Sequence, residues 1–140
     1  MELFKEFARG QENAQDQLND NFRKLETPYE ILFDGSININ SGTAAMSQSI
    51  KNFSLIQVTL SSSGNRVTAN YKNTTEAFAG RMPCFNITDA STSKDWQFYE
   101  TVFEFAGDKV SVTSCKRIDQ AGGIVNNSDG VAVTNVVGWY

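Results

Sequence analysis

The chain has 140 residues, 12 Lys and Arg against 16 Asp and Glu for a net charge of −4, 40% hydrophobic residues and no histidine. Without imidazole there is no Ser-His-Asp triad, no Cys-His dyad and no histidine-ligated zinc. The length suits one domain with its own core, and the scattered Lys and Arg form no basic footprint for nucleic acid.

Residues 1–27 read as an N-terminal helical segment. The stretch from Glu2 to Glu26 is rich in Gln, Glu, Asn, Asp, Lys and Arg and holds no Val, Ile or Thr. Phe4, Ala8, Gln11, Gln15, Leu18, Phe22 and Leu25 follow one another at alternating steps of four and three, the spacing of a coiled-coil seam. Gly10 breaks it into a short piece at 2–9 and a better helix at about 12–26. Thr27-Pro28 ends that helix, because the residue before proline disfavours helical geometry. A helix this short is marginal alone and must pack on something. Leu18, Phe22 and Leu25 are its anchors, and two readings stay open. They face the chain's own domain, or they form an oligomerisation seam between copies.

From residue 28 to 140 the apolar period changes to two. Ile31, Phe33, Ile37 and Ile39 alternate with Leu32, Asp34, Ser36 and Asn38 around Gly35, where a bulge or close approach is expected. Phe53–Ser62 carries Ile56, Val58 and Leu60 on one face. Ser61–Asn65 is a turn, and Arg66–Tyr71 returns with Val67, Ala69 and Tyr71. Met82–Thr88 is a weaker strand, which Pro83 marks as an edge or a strand start. Trp96–Ala106 and Lys109–Ile118 flank a Gly107-Asp108 hairpin turn. Trp96 and Phe98 are offset by one from Phe103 and Phe105, so a bulge near Glu100-Thr101 would put all four on one face. A polar, Gly-rich loop at 120–130 precedes a last strand with Val131, Val133, Val137 and Trp139. About seven strands at short spacing indicate a mainly β fold, an antiparallel β-sandwich preceded by the helical segment.

The residues offer little for catalysis. Glu100 and Glu104 would stand about 13 Å apart on a regular strand, at roughly 3.3 Å per residue, too far for a glycosidase pair. Asn126–Gly130 lacks the spacing of a calcium loop and reads as a turn. No phosphate-cradling glycine motif occurs. Cys84 and Cys115 form no CxxC pair, and the opening residues lack the apolar core of a signal peptide, so two reduced thiols are expected. No run approaches the 18 apolar residues of a membrane span. Trp96, Tyr99, Trp139 and Tyr140 are the candidate saccharide-binding residues, since sugar rings stack on such side chains. The competing reading places them in the core. These observations imply no catalytic residues, no metal and no cofactor.

Two stretches resemble baseplate and receptor-binding (tail accessory) proteins of tailed phages infecting Gram-positive bacteria. Residues 7–14 and 19–25, with Gly10, Asn13, Asn19-Asp20-Asn21-Phe22 and Leu25, are similar to the short helical stretch that precedes β-structure in such proteins. The run 131–140, valine-rich and ending Gly138-Trp139-Tyr140, resembles the final strand of many phage tail accessory domains. The resemblance covers about 30 residues; the middle agrees only in composition and strand spacing.

The resemblance implies a non-enzymatic structural protein of the virion, with a jelly-roll-like or shoulder-domain-like sandwich. It would work in host adsorption or tail assembly, in the phage tail or in the host cytoplasm during assembly. The implied partners are further copies of the chain, a trimer by resemblance, other tail proteins and a host cell-wall saccharide, with neither nucleic acid nor membrane. A small carbohydrate-binding, lectin-like sandwich is the alternative. The chain is short for a full receptor-binding protein, which usually adds a distal head.

Overall fold

Between Leu55 and Ser62 every second residue is apolar and fully out of solvent (Ile56, Val58, Leu60), while Gln57 and Thr59 face outward. That period-two alternation makes one strand of a two-layer structure. The structure, a computed structural model, describes residues 13–73, 75–89, 95–119 and 122–140. Helix α1 (Ala14–Glu26) is followed by β1 (Tyr29–Ile37), β2 (Thr43–Ala45), a 3-10 turn (Ile50–Asn52), β3 (Leu55–Ser62) and β4 (Asn65–Lys72). The remaining strands are β5 (Ala77–Asp89), β6 (Asp95–Ala106), β7 (Lys109–Asp119), β8 (Ile124–Val125) and β9 (Ala132–Trp139).

One sheet has the order β1-β9-β3-β4, and the other β2-β7-β6-β5 with β8 also against β7. All pairings are antiparallel. The core between the sheets includes Phe53, Phe103, Phe105, Ile56, Leu60, Val133 and Val136. Phe103 and Phe105 meet edge-on at 5.6 Å, and Tyr71 meets Phe103 edge-on at 5.5 Å. The fold is the expected mainly β sandwich preceded by a helix.

Local sequence explains several boundaries. α1 ends where expected, with the Thr27 amide donating to the Arg23 carbonyl before Pro28. The two-residue β3–β4 hairpin places Ser63 at φ +47° and Gly64 at φ +88°, the paired positive angles of the turn whose twist matches its strands. Pro83 lies on β5, which among the described residues pairs only with β6 and is therefore an edge. The short helical piece expected at 2–9 lies outside the described residues.

Three expectations need correction. In β1, Leu32 and Ile37 are buried while Ile31 is exposed. Two bulges against β9, at 31–33 and 34–37, switch which side chains point inward. Gly35 sits in the second bulge, where a Cβ would come within 2.9 Å of the Phe33 ring. In β6 there is no bulge near Glu100-Thr101. Tyr99, Thr101, Phe103 and Phe105 form one continuous buried face, and Trp96 and Phe98 point to the other side. The extra residue is Thr113 on β7, opposite the Val102–Phe103 step. Finally, the nine strands among the described residues include β2 and β8, which are too short to show a period.

Candidate functional site

The two ends of the sandwich differ. At one end the joint between α1 and β1 meets the C-terminus: Tyr29 pairs with Trp139, and the Tyr140 amide donates to the Pro28 carbonyl at 3.0 Å. The β6–β7 turn belongs to this end, because the Gly107 carbonyl accepts from Ile50 and the Trp139 carbonyl accepts from Ser54. Following β6 away from that turn, Phe98 lies eight residues from Ala106, or about 26 Å at roughly 3.3 Å per residue.

The large exposed apolar side chains divide between these two regions. Leu18, Phe22, Leu25, Tyr29 and Ile31 run consecutively along α1 and the start of β1. Phe85, Phe98, Ile118 and Ile124 form a row across four neighbouring strands toward the far end, joined by direct register pairs Phe85–Phe98, Phe98–Ile118 and Ile118–Ile124. Val125 is the next residue on β8. All of these are between 37% and 65% exposed. Contiguous exposed apolar side chains of this size mark interaction surfaces more often than single ones do.

On α1 the half-buried residues are Ala14, Gln17, Asp20, Asn21 and Lys24, whereas Gln15, Leu18, Phe22 and Leu25 are exposed. The helix therefore turns its apolar stripe outward. Lys24 forms an i,i+4 ion pair with Asp20 at 3.5 Å and places its Nζ 5.2 Å above the Tyr140 ring, which ties the helix to the end of the sandwich.

The far row exists because β5 and β6 bury one alternate set of residues and expose the other. Met82, Cys84 and Asn86 point inward with Tyr99, Thr101 and Phe103, leaving Phe85 and Phe98 on the outer face. Trp96 stacks on Phe85 at 6.2 Å with 27° between planes. Beside the row, Arg81 pairs with Glu100 at 3.3 Å and Lys116 stands opposite Glu100 in register. At the same end Asn65 donates to the Asn86 Oδ1 at 3.1 Å, fastening the β3–β4 turn to the edge strand. Asn86 is 3% exposed and its own Nδ2 has no hydrogen-bond partner.

The four aromatic candidates do not form one site. Trp96 stands at the far outer face, half-buried. Tyr99 is core, 3% exposed, and its hydroxyl donates to the Gln97 Oε1 at 2.7 Å; burial pushes its pKa up. Trp139 lies at the helix end, 5.0 Å from the Tyr29 ring, with its indole nitrogen buried and unpaired. Tyr140 packs on Phe53 at 4.9 Å and donates to Glu30. Burial, then Glu30, pushes its pKa to about 12. A stacking platform therefore involves Trp96 alone of the four.

Phe85, Ile118 and Ile124 escaped the sequence reading. Phe85 alternates against Met82 and Cys84 within one strand, and that alternation was the available signal. Ile118 and Ile124 join the row only through the pairing of β8 with β7. Cys84 and Cys115 are free and buried, and burial raises both thiols. Among the described residues no three acids or cysteines come together as a metal-ion site, and no helix is long and apolar enough to cross a membrane. No protein-family model matches the chain, and no curated protein does.

Proposed function

We propose that the chain is a non-enzymatic phage tail- or baseplate-associated structural protein that works in host adsorption or tail assembly, in the virion or in the host cytoplasm during assembly. Its helical segment joins copies of the chain, and the outer face of its sandwich meets a second partner, another tail protein or a host cell-wall saccharide. The observation that supports the reading is the division of exposed apolar side chains into two sets, one on α1 and β1 and one on the far outer face. A chain that joins two partners needs two such surfaces, and contiguous exposed apolar sets mark such surfaces more often than scattered side chains do.

Two measurements test the reading. Sedimentation velocity of the wild type and of Phe22→Asp should show an oligomer reduced to a monomer by the substitution; a wild type that is monomeric at every concentration sinks the assembly role. Mass spectrometry of purified phage particles should find the chain with the tail proteins, and its consistent absence from both particles and assembly intermediates sinks the virion role.

A small carbohydrate-binding module is the second reading, favoured by the Trp96–Phe85 stack on an exposed face beside Arg81 and Glu100. Trp96→Ala should then abolish retention on purified host cell-wall polysaccharide while Trp139→Ala leaves it intact. Retention unaffected by Trp96→Ala would count against it.

A further inference from the structure

β5 is the longest of the described strands, and among the described residues it pairs only with β6. An edge of that length presents a row of backbone groups to which a strand of another molecule can add. The residues of that row follow from the turn beside it. The Gly107 amide donates to the Glu76 carbonyl at 2.8 Å, and backbone groups alternate in direction along a strand. Even-numbered residues of β5 therefore address β6, while Ala77, Ala79, Arg81, Pro83, Phe85 and Ile87 address the outer edge.

Four of these six positions are closed by the chain itself. The Thr75 hydroxyl donates to the Ala77 carbonyl at 2.7 Å. The Tyr71 hydroxyl donates to the Arg81 carbonyl at 3.4 Å, and the Asn65 Nδ2 to the Phe85 carbonyl at 3.5 Å. Pro83, between those two, has no N–H to offer an incoming strand. Its pairing with Glu100 continues without a register shift, as it must where the missing donor faces away from β6. The Tyr71 ring is held by Phe78 at 5.7 Å and Phe103 at 5.5 Å. It lies over Gly80, where a Cβ would stand 3.2 Å from it. The bonds at 3.4 and 3.5 Å are long, but an added strand must displace each donor, and at Arg81 a ring packed against the core. β4, which supplies Tyr71 and Asn65, carries Arg66 and Lys72 at exposed positions, and like charges oppose a second copy at the same corner.

We infer that these contacts close the β5 edge to strand addition, so that the chain meets other molecules through the side chains of its faces and not by extending a sheet. The inference holds whichever partner the far row has, and it bears on that row directly. Phe85 turns its ring to the outer face while Asn65 holds its carbonyl. A partner docking there reads side chains, and a copy of the chain docking there does not propagate into a continuous sheet.

Opening the edge tests the inference. The full chain is made with Asn65→Ala, Tyr71→Phe and Pro83→Val together, which removes two donors, keeps the aromatic ring and restores an edge N–H. Gln57→Ala with Asn70→Ala is the control, since it breaks a side-chain hydrogen bond of 3.1 Å on the other sheet. Sedimentation velocity and amide hydrogen exchange are followed over a concentration series, with circular dichroism reporting the fold. The triple variant should stay folded and reach a mean mass at least twice that of the wild type at the same concentration. Exchange at its Arg81 and Phe85 amides should slow at least tenfold on association, while the control keeps the wild-type mass. A folded triple variant of wild-type mass at every concentration would overturn the inference. Association that leaves the Arg81 and Phe85 amides unprotected, or that the control shares, would overturn it too. If the triple variant unfolds, Tyr71→Phe with Pro83→Val decides by the same readings.

Discussion

The hydroxyl of Tyr140, the last residue, donates to the carboxylate of Glu30 at the second position of β1, 110 positions upstream. Gln48 donates to the other oxygen of the same carboxylate. One buried-edge acid thus fastens the C-terminus, the start of the first strand and the segment before the 3-10 turn.

This arrangement predicts an alkaline weakness. The folded-state pKa of Tyr140 is pushed up to about 12 from 10.0, by burial first and then by Glu30. The fold therefore favours the protonated phenol. Its contribution is complete below pH 10 and is lost as pH rises from 10 through about 12. Denaturant midpoints measured between pH 9 and pH 12 should fall more steeply for the wild type than for Tyr140→Phe. At pH 7 the same variant should lose about 1.5–3 kcal/mol, the worth of one hydrogen bond to a charged acceptor. Parallel pH profiles for the two proteins would remove Tyr140 from the explanation.

Gly138 predicts a packing limit at the same end. A Cβ there would stand 2.4 Å from the Phe53 ring, which is fully buried and packed at a tilt against Tyr140. Neither neighbour can yield cheaply, so Gly138→Ala should cost about 1–3 kcal/mol through overpacking. Thermal unfolding followed by circular dichroism checks it, and an unchanged midpoint would show that Phe53 moves freely.

How much of this was legible depended on whether the deciding contact was local. Thr27-Pro28 ends α1 by its own steric chemistry, and Ile56, Val58 and Leu60 announce β3 by period alone. The burial of Leu32 in place of Ile31 was not legible, because the bulges of β1 are defined against β9, about a hundred residues away. The far row failed for a related reason. Trp96 and Phe98 were expected to share a face with Phe103 and Phe105 through a bulge, and only the unbroken alternation of β6, which puts Phe103 and Phe105 between the sheets, turns them outward. The outward apolar stripe of α1 was readable as spacing; which partner it faced was not, because spacing names a stripe without naming its cover.

The far row and the core layer beneath it should respond oppositely to mutation. Phe98 is exposed and Phe103, five residues on in β6, is fully buried. Phe98→Ser should cost no more than about 2 kcal/mol, from two cross-strand pairs at roughly 0.2–1 kcal/mol each, whereas Phe103→Ala should cost about 3–5 kcal/mol. Urea unfolding separates the two. A large loss for Phe98→Ser would mean that the row is held for stability and is no free interaction surface.

The two thiols should be silent in the folded protein. Cys84 and Cys115 are 1% and 0% exposed, and burial raises both pKa values, which depletes the reactive thiolate. Iodoacetamide at pH 8 should label neither until the protein opens. Labelling rates should follow unfolding free energy across the Gly138→Ala and Phe103→Ala variants. Rapid labelling of the wild type would show that one edge of the sandwich opens locally.

Association through α1 should also be visible as a concentration dependence of stability. When the folded chain binds copies of itself and the unfolded chain does not, the unfolding midpoint rises with protein concentration. Phe22 is 54% exposed and, among the described residues, lies outside the core cluster and the side chains packed against it. Phe22→Asp should therefore leave the midpoint at the lowest concentration within about 0.5 kcal/mol of the wild type, while abolishing its rise at higher concentration. Ile124→Asp, also at an exposed position but on the far row, should keep that rise. A wild-type midpoint independent of concentration would assign the stripe of α1 to some other partner, and an effect of Ile124→Asp equal to that of Phe22→Asp would place the self-association surface on the sandwich.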